Sequence, residues 1–225
     1  MAFQYQHGIS RPASCHRAAE LIKPYSYAFT SITRLVFPET EQNDNMHKTH
    51  AHLHIKAKSI LSHPYLSATE IENATELLVK SLQYQYHESA SILAQLHLDG
   101  YVKNPNITLI NYYLDIGIKL KDPLAYYLIS CFFSIDDPSI SKYSLAFDFL
   151  KNSAHQGFAP AIHRIGYLTK KGYLGFRRNS QEAFKLFSHS AALGYQPSLY
   201  EIAKSYLGGI GIEQNCNNGY LTLSE

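Results

Sequence analysis

Four histidines lie close together in the chain and have the side chain that zinc binds most often. His47, His50 and His54 would share one face of a helix, with His52 between them, and neutral imidazole is a good zinc ligand. A zinc site needs further ligands, but no cysteine or paired carboxylate stands nearby. We therefore expect a solvated, histidine-rich surface here, with no metal and no other cofactor.

A second group of side chains carries the charge needed to contact phosphates. Lys170, Lys171, Arg177 and Arg178 flank one glycine-containing turn, and such cations bind nucleic-acid backbones. The formal net charge of the chain is only +2, which gives no strong field for nucleic acid or for an anionic membrane. We expect these side chains to form a solvated rim or a protein-binding edge, and we expect no nucleic-acid partner.

Motifs of the common enzyme classes are absent from the sequence, which has no H-E-x-x-H, no G-x-S-x-G, no phosphate loop and no Rossmann fingerprint. Its three cysteines, Cys15, Cys131 and Cys216, are too few for a disulfide framework or a four-thiolate zinc site. Cys131 stands in an apolar run and is expected to be a buried core thiol. We predict no catalytic residue and no enzymatic activity.

The composition favours a chain with a continuous core. Hydrophobic residues make up 45% of it and charged residues 17%, which argues against general disorder. No stretch approaches the roughly 18 apolar residues of a membrane-spanning helix, and the first residues lack the apolar region of a signal peptide. We expect either a cytosolic protein or a chain without its true ends.

A repeat of 37 residues organises the second half of the sequence. Pro160 and Pro197 are separated by this interval, and so are Gly157 and Gly194. A repeat of this length is typical of stacked helix pairs. The same interval separates Pro123 from Pro160, Ala154 from Ala191, Ala146 from Ala183, and Phe147 from Phe184.

Each period has the pattern of two helices. The first begins near a proline, whose missing N–H is not needed in a first helical turn, and ends at a glycine turn such as Gly172–Gly175 or Gly208–Gly211. The second, from Gln181, has apolar residues at three- and four-residue spacing. It stops at Gly194, which we expect in the left-handed conformation. The sequence thus predicts an all-α fold, a right-handed α-solenoid of antiparallel helix pairs.

We expect three regions along the chain. Residues 1–37 would form a partial N-terminal repeat with a long helix, residues 38–66 a polar inserted loop and a helix, and residues 67–225 the repeats, of which the last is incomplete. Ser67 and Glu70 match a capping box at a helix start. Because the outermost repeats each lack part of a pair, we expect a segment of a longer solenoid or a truncated chain. Cys15 and Cys216 stand far apart in the repeat order, so no bridge between them is predicted.

The repeat resembles the Sel-1-like family, which is related to the tetratricopeptide repeats. The segment from Tyr206 to Ile212 is similar to that family's Tyr-x-x-Gly-x-Gly-Val turn, and Ala191-Ala192-Leu-Gly194 to its Ala-Ala-x-x-Gly ending, one residue short. The copy at Pro123 departs from the pattern, because Ser134–Pro138 replaces the glycine turn. The resemblance, good from about residue 88 to 216, implies a non-enzymatic scaffold whose inner helix faces bind other proteins. Self-association is possible.

Two short turns resemble those of adaptor subunits in HRD-type ubiquitin-ligase complexes, which serve endoplasmic-reticulum-associated degradation. Gly8–Cys15 and Gly211–Cys216 are similar to glycine–isoleucine turns with a trailing cysteine in these adaptors. This implies a lumenal or membrane-associated protein of the endoplasmic reticulum, with a membrane ubiquitin ligase and misfolded glycoproteins as partners. Sequons at Asn73 and Asn106 fit that location. The alternative is a cytosolic or bacterial regulatory scaffold for a signalling or envelope complex.

Aromatic residues supply the remaining candidates for partner contact. Helical spacing places most of them in the core, and only those on an inner face would touch a partner. The sequence does not say which, so it predicts no individual binding residue. The aromatics in question are Tyr112, Tyr113, Tyr126, Tyr127, Phe132 and Phe133.

Overall fold

The computed structural model describes residues 48–224, except 64, 103–104, 137–139 and 174. Within that range, the side chains of residues 48–50, 132–144 and 224 are not described. The predicted N-terminal repeat and long helix, the polar loop after Pro38, and the residues Cys15 and His47 lie outside the described part of the chain.

Helices account for most of the described residues, and these residues contain no strand. The all-α prediction is therefore confirmed. The helices are α1 (Lys48–Leu61), α2 (Ala68–Gln83), α3 (Ser89–Leu98), α4 (Ile107–Lys119), α5 (Pro123–Asp136), α6 (Ile140–His155), α7 (Ala159–Lys171), α8 (Ser180–Ala192), α9 (Pro197–Gly208) and α10 (Cys216–Ser224).

The helices form two compact units. The N-terminal unit contains α1–α6 and ends at Phe158, and the C-terminal unit contains α7–α10 and begins at Ala159. Within each unit an odd-numbered helix packs against the even-numbered helix that follows it. This arrangement confirms an α-solenoid of helix pairs.

The even-numbered helices α2, α4, α6 and α8 all end in the same left-handed turn. After each left-handed residue, the next backbone N–H donates to the carbonyl five residues earlier, which is the Schellman arrangement. The turn therefore fixes the direction in which the next helix starts. Its left-handed position is held by Gly157 (φ 79°) and Gly194 (φ 86°), as predicted, and by Gln85 (φ 64°) and Lys121 (φ 57°).

Polar caps begin the even-numbered helices. Ser67 and Glu70 form the predicted capping box at α2, because each side chain accepts a hydrogen bond from the other residue's backbone N–H. Asn106 and Asn179 cap α4 and α8 by accepting from the N–H groups two and three residues further on. These caps satisfy donors that the first helical turn leaves unpaired.

The glycine turn between α9 and α10 requires its glycines. Gly209 ends α9 with a φ of 63°, and Gly211 follows with a φ of 78°. A Cβ atom on Gly211 would collide with the backbone carbonyl oxygen of Ser180, at the start of α8. The turn can approach α8 this closely only because glycine has no side chain.

Phe187 lies at the centre of the C-terminal unit. It is fully buried in α8 and forms a cluster with Ala183 and Ile202. Gly166 of α7 faces it so closely that a Cβ there would lie 2.9 Å from the Phe187 ring. Small residues at positions 166 and 183 thus make room for one large aromatic ring.

Candidate protein-binding face

Of the four histidines near the start of α1, the structure describes the side chains of His52 and His54, and these two differ in exposure. His52 is exposed, whereas His54 is buried in the N-terminal unit, so the prediction of a solvated surface is wrong for His54. Its burial is possible because Nδ1 lies 2.8 Å from the Ser89 hydroxyl. Within the described residues, no three histidine, cysteine or acidic side chains are grouped as metal ligands.

A hydrogen-bonded chain of one histidine and two serines crosses the C-terminal unit. Nδ1 of His163 lies 2.9 Å from Oγ of Ser198. The Ser198 hydroxyl donates to the Ser190 hydroxyl over 2.8 Å, and Ser190 donates to the carbonyl of Ala159 over 2.7 Å. The chain therefore links α7, α9 and α8.

The N-terminal unit contains an equivalent histidine and two equivalent serines, each 109 positions earlier, about three periods, but there the chain ends on a carbonyl of the second serine's own helix. His54 contacts Ser89, Ser89 contacts Ser81, and the Ser81 hydroxyl reaches the carbonyl of Leu78 over 2.9 Å. A tyrosine ring packs at an angle against the histidine in both units: Tyr86 against His54 and Tyr195 against His163, with centroid distances of 5.0 and 5.2 Å.

The direction of these hydrogen bonds assigns the histidine tautomers. A carbonyl can only accept, so the proton of Ser190 is committed to Ala159, and Ser190 must accept from Ser198. Ser198 then has no proton left for His163, so Nδ1 of His163 carries the hydrogen. The same reasoning gives His54 a hydrogen on Nδ1, with Nε2 as the basic nitrogen.

This polarity is the reverse of what a serine nucleophile needs. In a catalytic pair the serine donates its proton to the histidine, which acts as the base. Here the histidine donates to the serine, and both Ser198 and Ser89 are fully buried. The two histidine–serine pairs are therefore structural, and neither can activate a serine for attack on a substrate.

Burial lowers the pKa of both histidines. The pKa of His163 falls to about 4, with Lys170 adding to the effect and Glu201 opposing it. Burial and the charge of Lys58 lower the pKa of His54 to about 4 as well. Both rings are therefore neutral near pH 7, with their single hydrogen on Nδ1.

The cations predicted to flank the glycine turn separate into two environments. Lys171, Arg177 and Arg178 are exposed, in agreement with a solvated rim. Lys170 is not, because its Nζ donates over 2.8 Å to Oε2 of Glu201 and its side chain is only 14% exposed. The solvated-rim prediction is wrong for Lys170, which ties α7 to α9.

A mixed basic and aromatic surface surrounds that ion pair on α7 and α9. Glu201 also pairs with Lys204 at 3.2 Å, and Nζ of Lys204 lies 5.0 Å from the centroid of the Tyr200 ring. On α7, Nζ of Lys171 lies 5.9 Å from the centroid of the Tyr167 ring. We call this surface the lysine–tyrosine face, defined by Tyr167, Lys170, Lys171, Tyr200, Glu201 and Lys204.

The electrostatics of the lysine–tyrosine face are dominated by its cations. Burial favours a higher pKa for Glu201, but the hydrogen bonds and charges of Lys170 and Lys204 hold it below its ordinary value. Glu201 is therefore ionised at neutral pH and balances one of the three lysines. Two positive charges remain in excess, beside a Tyr167 side chain that is 42% exposed.

The sequence alone did not single out Tyr167, Tyr200, Glu201 or Lys204. The repeat could have pointed to two of them, since Tyr167 and Lys204 stand one 37-residue period apart and therefore occupy equivalent positions on their helices. Equivalent positions on neighbouring first helices therefore carry exposed rather than core side chains. The pairing of Lys170 with Glu201 joins two different repeat positions, so the spacing could not reveal it.

The prediction that the aromatic residues and Cys131 lie in the core is only partly confirmed. Tyr113 is buried as expected, but Tyr112 is 56% exposed on α4, and Tyr126 and Tyr127 are half-buried. The side chains of Phe132 and Phe133 are not described. Cys131 is half-buried and not fully buried, so the core-thiol prediction holds only in part, because α5 carries it at the margin of the core.

Cys216, the first residue of α10, is disulfide-bonded. In the described part of the chain, every helix is too short or too polar to cross a membrane.

Comparison with known proteins gives structural relatives only. No family model matches the chain, and no curated protein matches its sequence. A Sel1 repeat protein from Oxalobacter formigenes is 14% identical, with a TM-score of 0.57 over 93% of this chain and 80% of that one. A protective antigen from uropathogenic Escherichia coli that displays an SLR fold is 16% identical, with a TM-score of 0.54 over 99% of this chain.

This chain spans only 43% of the length of the Escherichia coli antigen. An immunity protein from Pseudomonas aeruginosa is 18% identical, with a TM-score of 0.52 over 76% of this chain and 61% of that one. At such identities the likeness concerns the fold. Together with the helix pairs and glycine turns, these neighbours show that the chain has the fold of the Sel1-like repeat proteins.

Proposed function

We propose that this protein is a non-enzymatic scaffold that binds other proteins, and that the lysine–tyrosine face is one of its contact surfaces. The observation that carries the proposal is the set of half-exposed tyrosines and lysines on α7 and α9, held in place by the buried Lys170–Glu201 pair. Tyrosine is enriched among residues that dominate protein interfaces. A rigid support lowers the entropy cost of binding.

Within that function, we propose an adaptor role in endoplasmic-reticulum-associated degradation, with a membrane ubiquitin ligase and misfolded glycoproteins as partners. Three observations support an oxidising, glycosylating compartment. Cys216 is disulfide-bonded, and disulfides persist mainly outside the cytosol. The sequon residues Asn73 and Asn106 are both exposed. The turn from Gly211 to Cys216, which resembles a turn of such adaptors, begins with a glycine in the left-handed conformation.

The second candidate is a bacterial regulatory scaffold for a signalling or envelope complex. The similar solved structures favour it, because they come from Oxalobacter, Escherichia and Pseudomonas and include an antigen and an immunity protein. A bacterial periplasm is also oxidising, so the disulfide fits this candidate equally well. Glycan occupancy and partner identity separate the two.

Affinity capture of the full-length protein from its native cell, followed by mass spectrometry and glycosidase treatment, tests these proposals. Recovery of a membrane RING-type ligase with a glycosylated bait would establish the degradation adaptor. Recovery of other protein partners with an unmodified bait would discard the adaptor role and keep the scaffold. A bait that recovers no protein above a tag-only control would contradict the scaffold itself.

A further inference from the structure

We infer that the lysine–tyrosine face binds an extended acidic segment of a partner protein. This inference rests on the proposed protein-binding function and specifies the chemistry of the partner. It follows from the charge of the face, from the rigidity of its central ion pair, and from the way its tyrosines are covered.

The charge of the face selects an anionic partner. Lys170, Lys171 and Lys204 outnumber the single carboxylate of Glu201, which is already neutralised by hydrogen bonds over 2.8 and 3.2 Å. Lys171 is exposed, and the Lys204 side chain is 46% exposed, so each of the two helices presents a lysine to solvent. Complementary charge across an interface speeds association and excludes partners of like charge.

The central ion pair holds the two helices in register. The side chains of Lys170 and Glu201 are 14% and 12% exposed, and Lys170 Nζ lies 6.0 Å from the buried Phe187 ring. Because this pair is largely screened from water, it is not available for exchange with a ligand. It fixes α7 against α9, so Lys171 and Lys204 keep a constant separation to which an extended chain can fit.

The tyrosines favour a polypeptide over single-stranded RNA. Bases bind aromatic platforms by stacking on an open ring face. Here Lys171 lies over the ring of Tyr167 and Lys204 over the ring of Tyr200, so a cation occupies a face of each ring. A partner carboxylate can instead accept hydrogen bonds from the lysine and from the tyrosine hydroxyl.

Selection from a phage-displayed library of random peptides of about 12 residues on the full chain, at low and physiological salt, tests the inference. We expect enriched peptides to carry several more aspartates and glutamates than the starting library. A Lys171→Glu/Lys204→Glu variant should bind a fluorescent copy of the best peptide at least tenfold more weakly. Lys185→Glu, which reverses an exposed lysine of α8, is the control that should leave affinity within twofold.

Four results would overturn the inference. Enriched peptides that are apolar or basic, or that keep their affinity for the Lys171→Glu/Lys204→Glu variant, would leave a protein-binding scaffold with a different partner chemistry. A fluorescent single-stranded RNA of equal negative charge that binds as tightly as the peptide would indicate general polyanion binding. Failure to enrich any peptide would exclude a linear acidic segment as the partner. The scaffold function is tested separately, by the capture of protein partners from the native cell.

Discussion

Single residues that occupy unusual backbone conformations carry local strain. Gln85 and Lys121 have φ values of 64° and 57° at the helix-ending position where Gly157 and Gly194 stand in later pairs. A side chain in this conformation costs about 1–2 kcal/mol, because its Cβ approaches the following carbonyl. The tertiary fold imposes the left-handed turn even where the sequence does not provide glycine.

Replacing Lys121 with glycine is predicted to raise the free energy of unfolding by roughly 0.5–1 kcal/mol, since relief of strain exceeds the added entropy of the unfolded chain. Urea denaturation measures this change, provided that the slope of unfolding free energy against urea concentration is the same in both proteins. Gly157→Ala is the matched control and should lower the free energy of unfolding, because it places a side chain in the left-handed conformation. A Cβ at this position would contact nothing within 4 Å, so the effect is one of backbone conformation alone. A less stable Lys121→Gly protein would contradict this account of the turn.

The buried histidines make stability depend on pH. The folded-state pKa values of His54 and His163 are about 4, below the unfolded value of about 6.5. Between these values the unfolded chain binds more protons, so both histidines stabilise the fold above about pH 6.5, and that contribution is lost as the pH falls toward 4. The raised pKa values of Asp99 and Asp122 act in the opposite direction.

His163→Asn is therefore predicted to flatten the dependence of unfolding free energy on pH between about pH 4.5 and 6.5, by an amount on the order of 1 kcal/mol or more over that range. Asparagine retains a donor near the Nδ1 position that faces Ser198 but cannot titrate. Because Asp99 and Asp122 are present in both proteins, their contributions to the pH dependence cancel when the variant is compared with the wild type. An unchanged slope would mean that folding does not lower the pKa of His163.

At the scale of elements, each unit is held together by polar contacts as well as by its apolar core. Ser153 and Ser190, at equivalent positions of α6 and α8, donate to backbone carbonyls near the starts of α5 and α7 over 2.6 and 2.7 Å. In α4 the equivalent position is Gly117, where a Cβ would meet the side chains of Ser91 and Ala125. A small residue is needed there in every pair, and serine adds a hydrogen bond that joins two helices.

Ser190→Ala is predicted to destabilise the protein by about 1–2 kcal/mol, because the buried Ser198 hydroxyl loses its acceptor. In a double-mutant cycle, Ser190→Ala/Ser198→Ala should cost less than the two single changes together. Ser188→Ala is the control on the same helix, since Ser188 bonds only within α8, and should change stability by less than about 0.5 kcal/mol. Additive effects of Ser190 and Ser198 would show that the hydroxyls are not coupled.

For the whole molecule, local sequence signals predicted the elements well and the surface poorly. Proline at helix starts, the capping box of Ser67, and the glycine turns act within a few residues, so the sequence reports them directly. The burial of His54 and the pairing of Lys170 with Glu201 depend on residues 35 and 31 positions away. Such contacts depend on how helices from different repeats pack, and a single sequence contains little information about that packing.

The central claim is that the lysine–tyrosine face binds a protein partner. It is tested most directly by placing a photoreactive phenylalanine analogue at Tyr167, in the full-length protein in its native cell, and irradiating. The account predicts a cross-linked protein adduct from this position, and a much weaker one when the analogue replaces Leu193, which is 47% exposed at the end of α8. Equal adducts from both positions, or an adduct from Leu193 alone, would contradict it.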